Sequence, residues 1–144
     1  MTRIALATML SLGIAAFTAP ALAQEEGAPT EADGLSVLEM TLARGYEGGA
    51  AVDPSTTFRR ADGRMFVVLQ MSNTSGAEAE IRVAFRRADA EVGSGGGGAT
   101  LTVAPRRTRT LARTGTGRPP GRYLVVIMSP SGRVLAQQEF EITE

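Results

Sequence analysis

From Leu35 onward the chain is built of short apolar runs of period two, separated by clusters of Gly, Pro, Asn and Asp. Leu38, Met40 and Leu42 alternate with Glu39 and Thr41, as a half-buried strand requires. Gly45 to Pro54 breaks that pattern, with Gly48-Gly49 and Asp53-Pro54 as turn signals. Thr56 to Arg60 fits a short edge strand, and Ala61-Asp62-Gly63, where Asp-Gly favours a tight hairpin, separates it from Arg64 to Met71. In that run Met65, Val67, Leu69 and Met71 share one face while Phe66 and Val68 hold the other, which predicts a central strand covered on both sides. Tyr123 to Met128 repeats this doubly apolar character.

Between these two lie a cleanly alternating strand, Glu80 to Arg87 with Ile81, Val83 and Phe85 inward, and two shorter ones, Thr100 to Val103 and Thr108 to Arg113. Ala88 to Gly98 reads as a flexible surface loop, because its four terminal glycines have no preferred dihedral well. Pro119-Pro120 cannot sit in a ladder, so Gly115 to Gly121 is a turn. Ser129 to Gly132 closes a hairpin into Val134 to Ile142, where Val134, Ala136, Phe140 and Ile142 share a parity. The sum is seven or eight short strands, an all-β antiparallel sandwich. The competing assignment is a helix at Ser36 to Arg44, since Leu35, Leu38 and Leu42 also fit a 3.6-residue period.

The first residues follow another logic. Met1-Thr2-Arg3 is a positive start, Ile4 to Phe17 an apolar run, and Ala21-Leu22-Ala23 a small-x-small end behind Pro20. That order predicts a cleaved secretory signal peptide over residues 1–23 and, from its short Ala-rich form, a bacterial periplasmic or secreted product. No Cys follows the apolar run to carry a lipid. Residues 24–34 are almost free of apolar side chains and read as a disordered leader, leaving 35–144 as the folded domain.

Composition narrows the chemistry. The 144 residues contain no Cys and no His, so thiolate nucleophiles, disulfides, imidazole bases and Cys- or His-ligated metals are excluded. Asp62 and Asp89 stand beside Arg residues in loops and fit turn caps. Tyr46 and Tyr123 lack a base partner. Asp53, Asp62, Asp89 and Glu91 follow no calcium-loop spacing, and Gly95 to Gly98 lack the lysine and strand-to-helix setting of a phosphate loop. The expectation is a protein that is not an enzyme and takes no cofactor or metal.

Charge then changes the picture. The basic side chains are all Arg, 15 against 15 acids, yet they are segregated. Gln24 to Phe58 carries seven acids and one Arg; Ala99 to Leu135 carries seven Arg and no acid. On a strand, Arg107, Arg109 and Arg113 project from one face, and together with Arg118 and Arg122 they form the candidate ligand-binding set. Guanidinium groups at this density can hold phosphate, sulfate or carboxylate bidentately, which points to an anionic glycan, a lipid head group or an acidic envelope protein. Few aromatics and no recognised motif argue against nucleic acid. The structural alternative is an Arg-coated solvent face that protects sheet edges or pairs with the acidic N-terminal segment.

The stretch Phe58 to Thr143 carries an N-x-x-G turn after a strand, Asn73-Thr74-Ser75-Gly76, and a closing hairpin from Gly121-Arg122-Tyr123 through Gly132-Arg133-Val134-Leu135 to Phe140-Glu141. In these it resembles small immunoglobulin-like accessory domains of unknown function in bacterial envelope proteins. The resemblance implies an immunoglobulin-like sandwich and an envelope location, and no activity. Two functions follow as expectations: a non-enzymatic binding or structural module that engages an anionic partner, or an edge-strand-pairing, chaperone-like assembly protein of the periplasm. An exposed apolar edge at Thr100 to Val103 would favour the second, and a compact Arg patch the first.

Overall fold

Two five-stranded sheets pack face to face in a computed structural model that describes residues 30–89 and 97–144. In chain order the strands are β1 (Glu31–Ala32), β2 (Leu35–Glu47), β3 (Ala50–Pro54), β4 (Thr57–Arg59), β5 (Arg64–Asn73), β6 (Ala79–Arg87), β7 (Gly98–Val103), β8 (Arg106–Gly115), β9 (Gly121–Met128) and β10 (Val134–Thr143). A 3₁₀ turn, Arg60–Asp62, links β4 to β5. One sheet, here A, runs β1-β2-β5-β8, with β3 on the far part of β2; the other, B, runs β4-β10-β9-β6-β7. The expected signal segment, most of the leader and most of the glycine-rich loop lie outside the described residues.

The two doubly apolar runs take the positions their pattern requires. β5 is flanked by β2 and β8, and β9 by β10 and β6. Met65, Val67, Leu69 and Met71 of β5 are fully buried, opposite Val125 and Ile127 of β9. Phe140 anchors the sheet B side. Tyr123 stacks on it at 5.6 Å, and Phe58 and Phe85 meet it edge-on at 6.2 and 6.5 Å. The Tyr123 hydroxyl donates to the Pro119 carbonyl at 2.5 Å, which ties the start of β9 to the turn before it.

Four expectations are corrected. There are ten strands among the described residues, not seven or eight. One addition comes from the Gly45 to Pro54 segment: β2 continues to Glu47, turns on Gly48 and Gly49, both at positive φ, and returns as β3. A two-residue turn of that conformation matches the twist of its strands, so the glycines make a hairpin where the sequence suggested a break. The other addition is β1, whose Glu31 and Ala32 pair with Ser36 and Leu35, so a strand lies within the expected leader. Second, β4 pairs with β10 in parallel, so sheet B is mixed, and Ala61-Asp62-Gly63 closes no hairpin because β4 and β5 lie in different sheets. Third, the strand expected at Leu38 to Leu42 is present, and not the competing helix, but a bulge between Val37 and Glu39 turns Leu38 out to 40% exposure instead of onto the face of Met40 and Leu42. Fourth, a bulge between Val134 and Ala136 reverses the start of β10, so that Leu135 is buried and Val134 exposed.

The N-x-x-G turn is a polar knot. Asn73 is buried, and its amide donates to the Ala77 and Val103 carbonyls at 2.8 and 3.1 Å. Its Oδ1 accepts from the Ser75 amide at 3.0 Å and the Ser75 hydroxyl at 2.6 Å. The turn therefore joins the end of β5 to the end of β7, at the crossing from sheet A to sheet B.

Candidate functional site

β8 owes its form to a sequence in which only alternate residues are needed inside. Register with β5 sets Arg113 opposite Phe66, Leu111 opposite Val68, Arg109 opposite Gln70 and Arg107 opposite Ser72. Val67, Leu69 and Met71 point inward, so these pairs line the outer face of sheet A. Arg107, Arg109 and Arg113 are exposed there, spaced by the rise of an extended chain, about 7 Å between alternate residues. Arg64 joins them from β5, its guanidinium 5.7 Å from the Phe66 ring. Sequence reasoning missed Arg64, although it shares the parity of Phe66 and Val68.

The tip of the β2–β3 hairpin lies against this face. Arg109 reaches across β5 and donates from Nη1 to the Gly49 carbonyl. Beneath it is a shallow cleft of about 190 Å³ lined by Glu39, Thr41, Ala50, Ala51, Val68, Gln70 and Arg109. Glu39, paired in register with Gln70, is the acid set among these rows, and Glu47 stands at the hairpin end. None of the ion pairs formed among the described residues uses Arg107, Arg109 or Arg113.

The other two residues of the candidate set lie elsewhere. Arg118, in the turn between β8 and β9, packs its guanidinium 5.4 Å from the Phe85 ring and 5.9 Å from Tyr123, and donates to the Thr114 hydroxyl at 3.2 Å. Arg122 is on β9, in the other sheet, and donates from Nε to Glu139 on β10 at 2.6 Å. This bond holds the Glu139 carboxyl below the usual carboxylate range and raises Arg122. Charges interleave on that outer face: Glu139 and Glu141 of β10 alternate with Arg82, Arg86 and Arg122 of β6 and β9. One run of Arg in the sequence is thus divided between two faces: on sheet B Arg122 is paired with Glu139, whereas on sheet A Arg107, Arg109 and Arg113 form no ion pair among the described residues.

Asp53, Asp62 and Asp89 serve the fold. Asp62 accepts the Arg59 amide at 2.8 Å, the chief cause of its lowered pKa, and it also accepts from Arg44 at 3.4 Å. Arg44 pairs in addition with Asp53 at 3.2 Å and donates to the Thr57 carbonyl at 2.8 Å. Asp89 pairs with Arg87 at 3.4 Å. Among the described residues no three acids group as a metal site would need, and no helix is long and apolar enough to cross a membrane. β7 forms one edge of sheet B, but its Val103 is buried and Leu101 packs on the core, so the residues it exposes are Gly98, Thr100 and Thr102, none of them a large apolar side chain.

No family model and no curated protein matches the chain. Solved structures do. An alkylpurine DNA glycosylase from Pseudomonas fluorescens, bound to DNA containing an abasic-site analog, matches with a TM-score of 0.52 at 12% identity, over 79% of this chain and 32% of that one. A β-glucosidase from Listeria innocua in complex with glucose matches with a TM-score of 0.51 at 14% identity, over 76% of this chain and 16% of the enzyme. An immunoglobulin-like protein from Pseudomonas aeruginosa aligns over its whole length and 81% of this chain, at 13% identity and a TM-score of 0.49. This chain therefore spans under a third of the glycosylase and about a sixth of the glucosidase, and at these identities the likeness is one of fold. The protein is a small all-β domain of two packed sheets.

Proposed function

We propose that this domain is an exported, non-enzymatic binding module of the bacterial envelope, of immunoglobulin-like type, which engages an anionic partner through the outer face of sheet A. The observation that carries the reading is the row Arg107, Arg109 and Arg113, exposed on one face with no ion pair among the described residues. Guanidinium forks aligned on a rigid strand suit carboxylate, sulfate or phosphate groups repeated at a similar spacing. Arg118 and Arg122 drop out of the binding set, since one packs on aromatic rings and the other is paired with Glu139. Export is supported by the signal-like order of residues 1–23.

Retention on an anionic matrix over a salt gradient tests this. Arg107→Ala, Arg109→Ala and Arg113→Ala together should abolish salt-sensitive retention with folding intact, whereas Arg122→Ala should leave it in place. Unchanged retention in the triple variant overturns the reading.

A further inference from the structure

Sheet A ends at β8, whose outer edge pairs with no strand among the described residues. Two hydrogen bonds fix which backbone groups face outward. Thr116 donates to the Gly63 carbonyl at 3.3 Å, and Thr74 donates to the Gly34 carbonyl at 2.8 Å on the β2 side. Antiparallel ladders alternate, so the odd-numbered residues of β5 face β8 and the even-numbered residues of β8 face β5. Arg107, Arg109, Leu111 and Arg113 therefore turn both N–H and C=O toward the open edge. These same residues carry the side chains of the Arg face.

We propose that β8 is a docking edge for an acidic peptide, which binds as an added strand of sheet A. The proposal rests on the reading of that face as anion-binding and names its partner class. A strand laid on this edge takes backbone hydrogen bonds from the four residues, and its alternate side chains stand beside Arg113, Leu111, Arg109 and Arg107. In the antiparallel sense the complementary order is acid-x-apolar-x-acid-x-acid. β8 carries four Arg and no acid, so the charge match is one-sided. A second copy of β8 is the wrong occupant: paired about a two-fold axis between Arg109 and Leu111, it sets Arg107 against Arg113, and like charges directly opposite are repulsive. A polyanion without amides satisfies the guanidiniums but leaves the edge unpaired.

The test uses the full chain and a synthetic peptide with that order of acids, beside a copy N-methylated at the amides that would face β8. Addition of the first peptide should slow hydrogen exchange at the amides of Arg107, Arg109, Leu111 and Arg113. N-methylation should weaken binding about tenfold or more, equivalent to loss of a hydrogen bond or two. Equal binding of both peptides, with exchange at the four amides unchanged, overturns strand addition and leaves an anion-binding face. Failure of both the peptide and the anionic matrix to bind overturns the functional reading as well. Slow exchange at these amides in the free protein, together with dimers in sedimentation, overturns the proposal in favour of self-pairing.

Discussion

Asp33 Oδ2 accepts the Ser131 hydroxyl at 2.6 Å and the Ser131 amide at 3.1 Å, joining the β1–β2 turn of sheet A to the β9–β10 turn of sheet B. Ser131, then Ser129, holds the Asp33 carboxyl below the ordinary range. Asp62 and Glu139 are lowered too, by the Arg59 amide and the Arg122 guanidinium. A carboxylate lowered by folding contributes stability above its unfolded pKa, near about 4, and loses it as pH falls through the folded value. The unfolding midpoint should therefore drop on acidification below about pH 4. Asp33→Asn should lower it at neutral pH and reduce that acid dependence. An acid limb identical to the parent's would exclude this contact as a contributor.

The facing of β5 and of the β2 bulge separates two leucines. Leu69 is fully buried, and Leu69→Ala should cost about 2–5 kcal/mol in denaturant unfolding. Leu38 sits in the bulge between Val37 and Glu39 and is 40% exposed, so Leu38→Ala should stay within about 0.5 kcal/mol. Comparable losses at both positions would contradict the register.

Asn73 uses both ends of its amide in a buried site. Asn73→Ala leaves the Val103 carbonyl without its side-chain donor and should destabilise by about 1–3 kcal/mol. Asn73→Asp keeps the acceptor for Ser75 but turns an oxygen toward the two carbonyls, so its loss should be at least as large. Chemical unfolding of the two variants gives the comparison, and a stable Asn73→Asp protein would show that the donations to Ala77 and Val103 carry little.

Arg118 and Arg109 should part company in their phenotypes. Arg118→Ala removes a cation over two rings and should cost about 0.5–2 kcal/mol of stability while leaving matrix retention unchanged. Arg109→Ala should weaken retention with little loss of stability beyond a looser β2–β3 hairpin tip. Thermal melting and the salt gradient, run on the same samples, separate the two effects.

Much of this architecture is legible from residue pattern. The doubly apolar runs Arg64 to Met71 and Tyr123 to Met128 locate the central strands because a strand buried on both faces loses the polar alternation. Parity alone also sets Arg107, Arg109 and Arg113 on a common face. It was less informative about Gly48-Gly49, which served as hairpin rather than break, and about Val134, whose parity was undone by a bulge. Both depend on a partner strand, which local sequence does not contain.

Sequence by itself determined the two-residue periodicity, the positions of most strands from Leu35 onward, and the segregation of Arg from acid. Only the tertiary structure decided which Arg residues share a surface. β8 belongs to sheet A and β9 to sheet B, so neighbours along the chain such as Arg113 and Arg122 end on opposite outer faces. Arg122 then meets Glu139 of β10, while Arg113 meets the Phe66 of β5. The physical reason is that a strand's own period fixes the side on which a residue projects, whereas its neighbours on that side come from strands distant in sequence.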